Sequence, residues 1–174
     1  MQLTAIAVLM ALATGAAPAD AGKASVTIQV LSARAGEGTT GEGVDPRLAA
    51  KLRVSLEQMG MRKPDIAKLS KPRTDTLGPG ESAASDRDGA GVEVTCKKVS
   101  AEEGVTLSVA LFNEVKEGKK TVRKFSDPTS VKFSKPGQVQ PFVQGDGKGV
   151  RVYVVSAVRE GDEGEAGAGS DPPK

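Results

Sequence analysis

Histidine and tryptophan are absent from this sequence, cysteine occurs once, and the only other aromatic residues are four phenylalanines and one tyrosine among 174 residues. Without histidine, neither a Ser-His-Asp nor a Cys-His arrangement can be built, and metal or haem sites that use imidazole are excluded. A single cysteine forbids both a thiolate cluster and an intrachain disulfide, so the fold must rest on an apolar core. Few aromatics leave no stacking platform for nucleic acid, and Phe112, Phe125, Phe133, Phe142 and Tyr153 read mostly as core. Long apolar runs are missing too: Leu3 to Ala13 is too short to span a membrane. Catalysis would have to use paired carboxylates or a Ser/Lys pair, and the acids lie mostly beside glycines and lysines in solvated turns.

The apolar run leads into Ala17-Pro18-Ala19-Asp20-Ala21, which carries A-x-A cleavage patterns, so residues 1–21 read as an export signal peptide. At the other end, residues 160–174 are acidic and glycine-rich with no large apolar side chain, a composition that burial cannot order. Residues 22–159 remain as a single domain. They hold 23 of the 24 basic residues and 16 of the 22 acidic ones, a balance of +7 that the near-neutral total conceals.

Within the domain, Val26-Thr27-Ile28-Gln29-Val30 alternates apolar with polar and predicts a half-buried strand. A helix follows, opened by Asp45 as its cap and Pro46 at its first position and closed at Gly60. Leu48, Leu52, Leu56 and Met59 form its apolar stripe. Between strand and helix, Gly36-Glu37-Gly38-Thr39-Thr40-Gly41 matches the dinucleotide-binding string, with Asp65 placed as a ribose partner. The helix opens too late for its N-terminus to meet a pyrophosphate, and Glu37, Glu42 and Asp45 would repel one. The stretch reads as a flexible connection, and no cofactor is expected.

Strands are predicted at Ile66–Leu69, Val92–Cys96, Val105–Leu111, Thr121–Phe125, Ser130–Ser134, Val139–Val143 and Val150–Val158, with turns at 77–80, 101–104 and 117–120. A tight, mobile loop at 145–149 joins the last two. Cys96 shares the inward phase of Val92 and Val94 and reads as a buried, unreactive thiol. Asp86-Arg87-Asp88-Gly89 resembles the start of a calcium loop but lacks the remaining ligands, and Asp146 stands alone, so both read as polar loops and no metal is expected. The sum is an α+β domain: one amphipathic helix packed on a predominantly antiparallel sheet or open β-sandwich of about seven to nine strands.

Val30-Leu31-Ser32-Ala33-Arg34, the run Gly43-Val44-Asp45-Pro46-Arg47-Leu48, the leucine-spaced helix and the strand-rich half ending at Val158 together resemble a group of small exported bacterial proteins of unassigned function. The resemblance implies this fold and transfers no activity or site.

Lys116, Lys119, Lys120, Arg123 and Lys124 crowd one hairpin, with Lys97, Lys98, Lys132 and Lys135 in or beside neighbouring strands. They are candidate contacts for an anionic ligand, although a strand alternates faces, so not all can point one way, and lysine on edge strands also guards against sheet aggregation. Three functions follow. The first is an exported, periplasmic or secreted, non-catalytic module that binds an envelope or secreted protein. The second is a binder of an anionic polymer or lipid surface through the basic face, with the acidic tail as internal competitor. The third is a carboxylate-dependent hydrolase. Nucleic acid is not an expected partner, and no transmembrane span is expected once the signal is removed.

Overall fold

Alternation in the first strand sets the architecture. Ala24, Val26, Ile28 and Val30 point to one side of β1 (Ala24–Ala35) and are buried there, while Leu31 and Ala33 are buried on the other. A strand buried on both faces must lie in a middle layer. The computed structural model describes residues 22–145 and 149–162. The export-signal reading of 1–21, the tip of the loop at 145–149 and most of the acidic tail lie outside those residues.

After β1 the order is α1 (Pro46–Gln58), β2 (Pro64–Lys68), β3 (Arg73–Leu77), β4 (Ser82–Arg87), β5 (Ala90–Ser100), β6 (Gly104–Glu117), β7 (Lys120–Phe125), β8 (Thr129–Phe133), β9 (Val139–Gly145) and β10 (Val150–Arg159). They form two five-stranded sheets in which every strand pairing is antiparallel. In the first sheet β1 pairs with β10, and β10 with β9. The other flank of β1 is shared end to end, by β3 along Ala24–Ile28 and β2 along Leu31–Ala35. The second sheet repeats this device: β4, β5 and β6 lie side by side, and the far flank of β6 is shared by β8 and β7.

The inner faces of the two sheets make the larger core, with Val26, Ile28, Val30, Tyr153 and Val155 from one side and Val92, Val94, Cys96, Leu107 and Val109 from the other. The helix lies on the outer face of the first sheet, where Ala49, Leu52 and Leu56 meet Leu31, Ala33, Ile66, Val152 and Val154. Each large apolar side chain so buried contributes roughly 1.5–3 kcal/mol. The molecule is thus an α+β fold of three layers, helix on sheet on sheet.

The helix ends are built as the sequence predicts. Asp45 Oδ1 accepts the N–H groups of Arg47 at 2.7 Å and Leu48 at 3.2 Å, and Pro46 follows. At the far end Gly60 turns into the left-handed region with φ +94. The N–H of Gly60 donates to the Glu57 carbonyl at 2.9 Å and that of Met61 to the Leu56 carbonyl at 3.0 Å. Carbonyls left over by the last turn thereby gain donors.

Four expectations are corrected. Ten strands are present among the described residues, because β3 and β4 are strands where no strand is predicted. Met59 is 64% exposed and stands outside the stripe, since it occupies the C-cap where the helix has already stopped turning its face to the sheet; Ala49 is buried in the stripe. Asp86 and Arg87 end β4, and Asp88 (φ +52) with Gly89 (φ +75) makes a two-residue hairpin turn into β5. Both central residues in the left-handed region match the twist of the flanking strands, which favours Asp-Gly. Finally, the glycine-rich stretch is fastened rather than loose. The Gly41 N–H donates to the Ile66 carbonyl at 2.8 Å and the Ile66 N–H to the Thr39 carbonyl at 3.0 Å. Cys96 is buried, as its inward phase predicts, and burial raises its pKa. Among the described residues no helix is long and apolar enough to cross a membrane.

Candidate functional site

The strand registers carry the inner face of the sandwich from apolar to polar in one step. Val30 and Tyr153 are partners on β1 and β10; the next inward pair is Ser32 and Arg151, and Gln144 of β9 is the partner of Arg151 on the other side. In the second sheet, Val92 and Leu111 are partners, and the next inward row is Arg87, Ala90 and Asn113. Two polar rows, one from each sheet, therefore face each other at the end of the apolar core. Between them lies a cleft of ≈ 610 Å³ lined by Ser32, Arg34, Arg87, Asp88, Asn113, Glu114, Gln144 and Arg151, among others.

Arg151 is the one buried charged residue among those described, with its side chain 8% exposed. Its Nη1 donates to the carbonyls of Arg87 and of Ala90, the latter at 3.4 Å, tying β10 to the β4–β5 turn across the gap between sheets. Its Nη2 lies 3.7 Å from Asp88 Oδ2, and its Nε has no hydrogen-bond partner. A second tie runs through Gln144. Its Nε2 donates to the Phe112 carbonyl at 3.2 Å and to Asn113 Oδ1 at 3.1 Å, and its Oε1 accepts the Tyr153 hydroxyl at 3.1 Å. Burial pushes the Tyr153 hydroxyl pKa up, and the neighbouring Arg151 guanidinium draws it partly back. Buried polar groups are retained where they are bonded, and these bonds hold the two sheets at a fixed separation.

Two carboxylates line the cleft. Glu114 Oε1 accepts from Arg123 Nε at 3.1 Å, while Asp88 Oδ2 sits 3.6 Å from Arg87 Nε and 3.7 Å from Arg151 Nη2. Each is opposed by a guanidinium. Among the described residues no group of three His, Cys, Asp or Glu side chains converges as a metal site.

The basic residues singled out in the sequence lie on one hairpin but not on one face. Lys116 and Arg123 share a side of the β6–β7 ribbon, Lys120 and Lys124 share the other, and Lys119 is in the turn. Arg123 is committed: Nε bonds Glu114, Nη2 bonds Asp86 at 2.8 Å, and the guanidinium lies over the Phe112 ring with Cζ 4.4 Å from its centroid. Lys124 Nζ lies 3.0 Å from Glu117. Lys116, Lys119 and Lys120 have no ion pair among the described residues. Elsewhere Lys98 and Lys132 converge on Glu103, whose carboxyl is held below its usual range chiefly by the Lys98 hydrogen bond.

The glycine-rich loop offers no phosphate cradle. Asp65 Oδ1 accepts the N–H groups of Thr39 at 2.7 Å and Glu37 at 3.1 Å and the Thr39 hydroxyl at 2.8 Å, so a carboxylate of the protein already occupies the loop's donors. Those bonds, led by the Thr39 N–H, lower the Asp65 pKa.

Sequence reasoning missed the cleft. Its signal was Arg151, a charge standing in the inward phase of Tyr153, Val155 and Ala157 within an otherwise apolar strand. Fold and site together define a helix-covered β-sandwich with an arginine-lined opening at one end. No family model, no curated protein and no solved structure matches this chain.

Proposed function

We propose that this protein is an exported, non-catalytic binding module that engages another envelope or secreted protein through the open edge of β7. The observation that carries the reading is that β7 pairs with β6 on one side only, while all six of its residues are exposed. An open edge offers unpaired backbone donors and acceptors to an extended segment of a partner. Val115 and Val122 are partners across the ribbon, 36% and 37% exposed, and supply an apolar contact beside that edge. Lys119 and Lys120 at its start favour an acidic partner segment. The same lysines, together with Lys116, favour a second reading, in which an anionic polymer or lipid surface is the ligand. Catalysis by paired carboxylates gains little support, since Asp88 and Glu114 are both opposed by arginines.

The two readings separate in one recovery experiment from the native envelope or medium. Val122→Asp is expected to abolish capture of a recurrent protein at high salt, with thermal unfolding showing that the sandwich is intact. The Lys119→Ser/Lys120→Ser double variant is expected only to weaken it. Loss of capture in the lysine variant alone, with binding that disappears at high salt, would overturn the edge reading in favour of the anionic surface.

A further inference from the structure

The arginine-lined cleft has no part in the β7 reading, and its chemistry calls for a ligand of its own. We propose that it is a binding site for a small organic acid, whose carboxylate is held by Arg34, Arg87 and Arg151 and whose polar body meets Ser32, Asn113 and Gln144.

Burying a guanidinium is costly unless its donors are used. Arg151 lies in the inward row of the sandwich, yet the protein supplies partners to only part of it: Nη1 has two carbonyls, the Tyr153 hydroxyl lies beside the guanidinium, Nε has no partner, and Nη2 faces a carboxylate at 3.7 Å, beyond direct hydrogen-bond range. Arg87 Nη1 donates to the Leu69 carbonyl, and its Nε meets the same Asp88 at 3.6 Å. Arg34 lines the cleft without an ion pair among the described residues. On the acidic side, Glu114 is drawn toward Arg123. Among the described residues, Arg87 and Arg151 therefore share one loosely held carboxylate, and Arg34 has no ion pair.

That carboxylate shows what the arginines attract. Asp88 occupies a hairpin turn, its side chain is 77% exposed, and both of its ion-pair distances are long. A ligand carboxylate entering the cleft would meet the same pair of arginines at closer range, with Arg34 as a third donor, and leave Asp88 to solvent. Planar guanidiniums suit carboxylate and phosphate alike. The cleft's three guanidiniums outnumber its two carboxylates, Asp88 and Glu114, so its charge draws an anion of either kind, and the choice of an organic acid rests on the uncharged polar groups beside them. A hydroxyl and two amides from Ser32, Asn113 and Gln144 suit a hydroxylated or amide-bearing body, and a volume of ≈ 610 Å³ is that of a small-molecule site.

The test titrates the full chain with glucuronate and N-acetylalanine, with their neutral counterparts glucose and N-acetylalanine methylamide, and with inorganic phosphate. Calorimetry and the arginine Nε–H resonances report binding. At least one acid is expected to bind and shift the Arg151 Nε–H signal, its neutral counterpart is expected not to bind, and phosphate is expected to bind more weakly than the acid. Arg34→Gln, at an exposed position that leaves the core untouched, is expected to weaken the acid about tenfold, the size of one charge-assisted hydrogen bond. Asp88→Asn, which removes the internal competitor, is expected to tighten it. Failure of both acids to bind, equal binding of acid and neutral counterpart, tighter binding of phosphate, or an Arg34→Gln variant with unchanged affinity would each overturn the proposal.

Discussion

Gly91 lies beneath the ring of Phe112: a Cβ on the glycine would sit 2.4 Å from Phe112 Cζ and 2.6 Å from the Ser85 carbonyl oxygen. The two residues are partners on β5 and β6, on the outer face of the second sheet, and the absent side chain is what lets a phenylalanine be 1% exposed there. Phe125, with its ring centroid 5.4 Å away, and Arg123 complete the cover.

Gly91→Ala is therefore expected to destabilise the fold by roughly 1–3 kcal/mol, the usual effect of overpacking a filled site. Urea unfolding measures it. A neutral result would mean that the ring is free to move aside.

The helix supplies a contrast within one element. Leu52 is 1% exposed against the first sheet, and Leu52→Ala is expected to cost about 2–5 kcal/mol. Met59→Ala, at the exposed C-cap, is expected to change stability by less than about 0.5 kcal/mol. Asp45→Ala, which releases two capped N–H groups, is expected to fall between them at about 1 kcal/mol. Chemical denaturation of the three variants ranks them.

Asp65 makes the fastening of the glycine-rich loop dependent on pH. Its folded pKa lies below the ordinary aspartate value of 3.8, because the hydrogen bonds from Thr39 and Glu37 favour the ionised form. The sign follows from linkage: the contribution is fully present above the ordinary value and is lost as pH falls through the lowered folded value. Asp65→Asn is expected to be less stable than the natural protein at neutral pH and to converge with it in acid. Thermal unfolding of both proteins across that range checks the convergence, and an NMR titration of the Thr39 amide should report a midpoint below 3.8.

Much of the fold is legible in the sequence where apolar side chains alternate over a long stretch. Val105–Leu111 and Val26–Val30 announce their strands, and Asp45-Pro46 and Gly60 mark both ends of the helix. Arg73–Leu77 and Ser82–Arg87 do not announce theirs, because short edge strands built from threonine, serine, alanine and aspartate bury little and carry a weak period-2 signal. Their strand identity comes from neighbours: β1 for one, β5 for the other. Candidate site residues fared differently. Strand alternation already implies that the basic cluster cannot all face one way, but only the β6–β7 register assigns each residue its side. Arg34, Arg87 and Arg151, distant in sequence, share a cleft because of sheet order and register, which no local pattern encodes.

The pairing of β1 with β10 has a consequence in time. These two strands form the layer that separates the cores, and each contributes side chains to both. One is the first strand of the described chain and the other the last. Neither the sandwich interior nor the seat of the helix can be completed while β10 is missing, so a growing chain holds both apolar surfaces open until β10 is delivered. A chain shortened before Val150 is therefore expected to lack the closed sandwich interior and the full seat of the helix together.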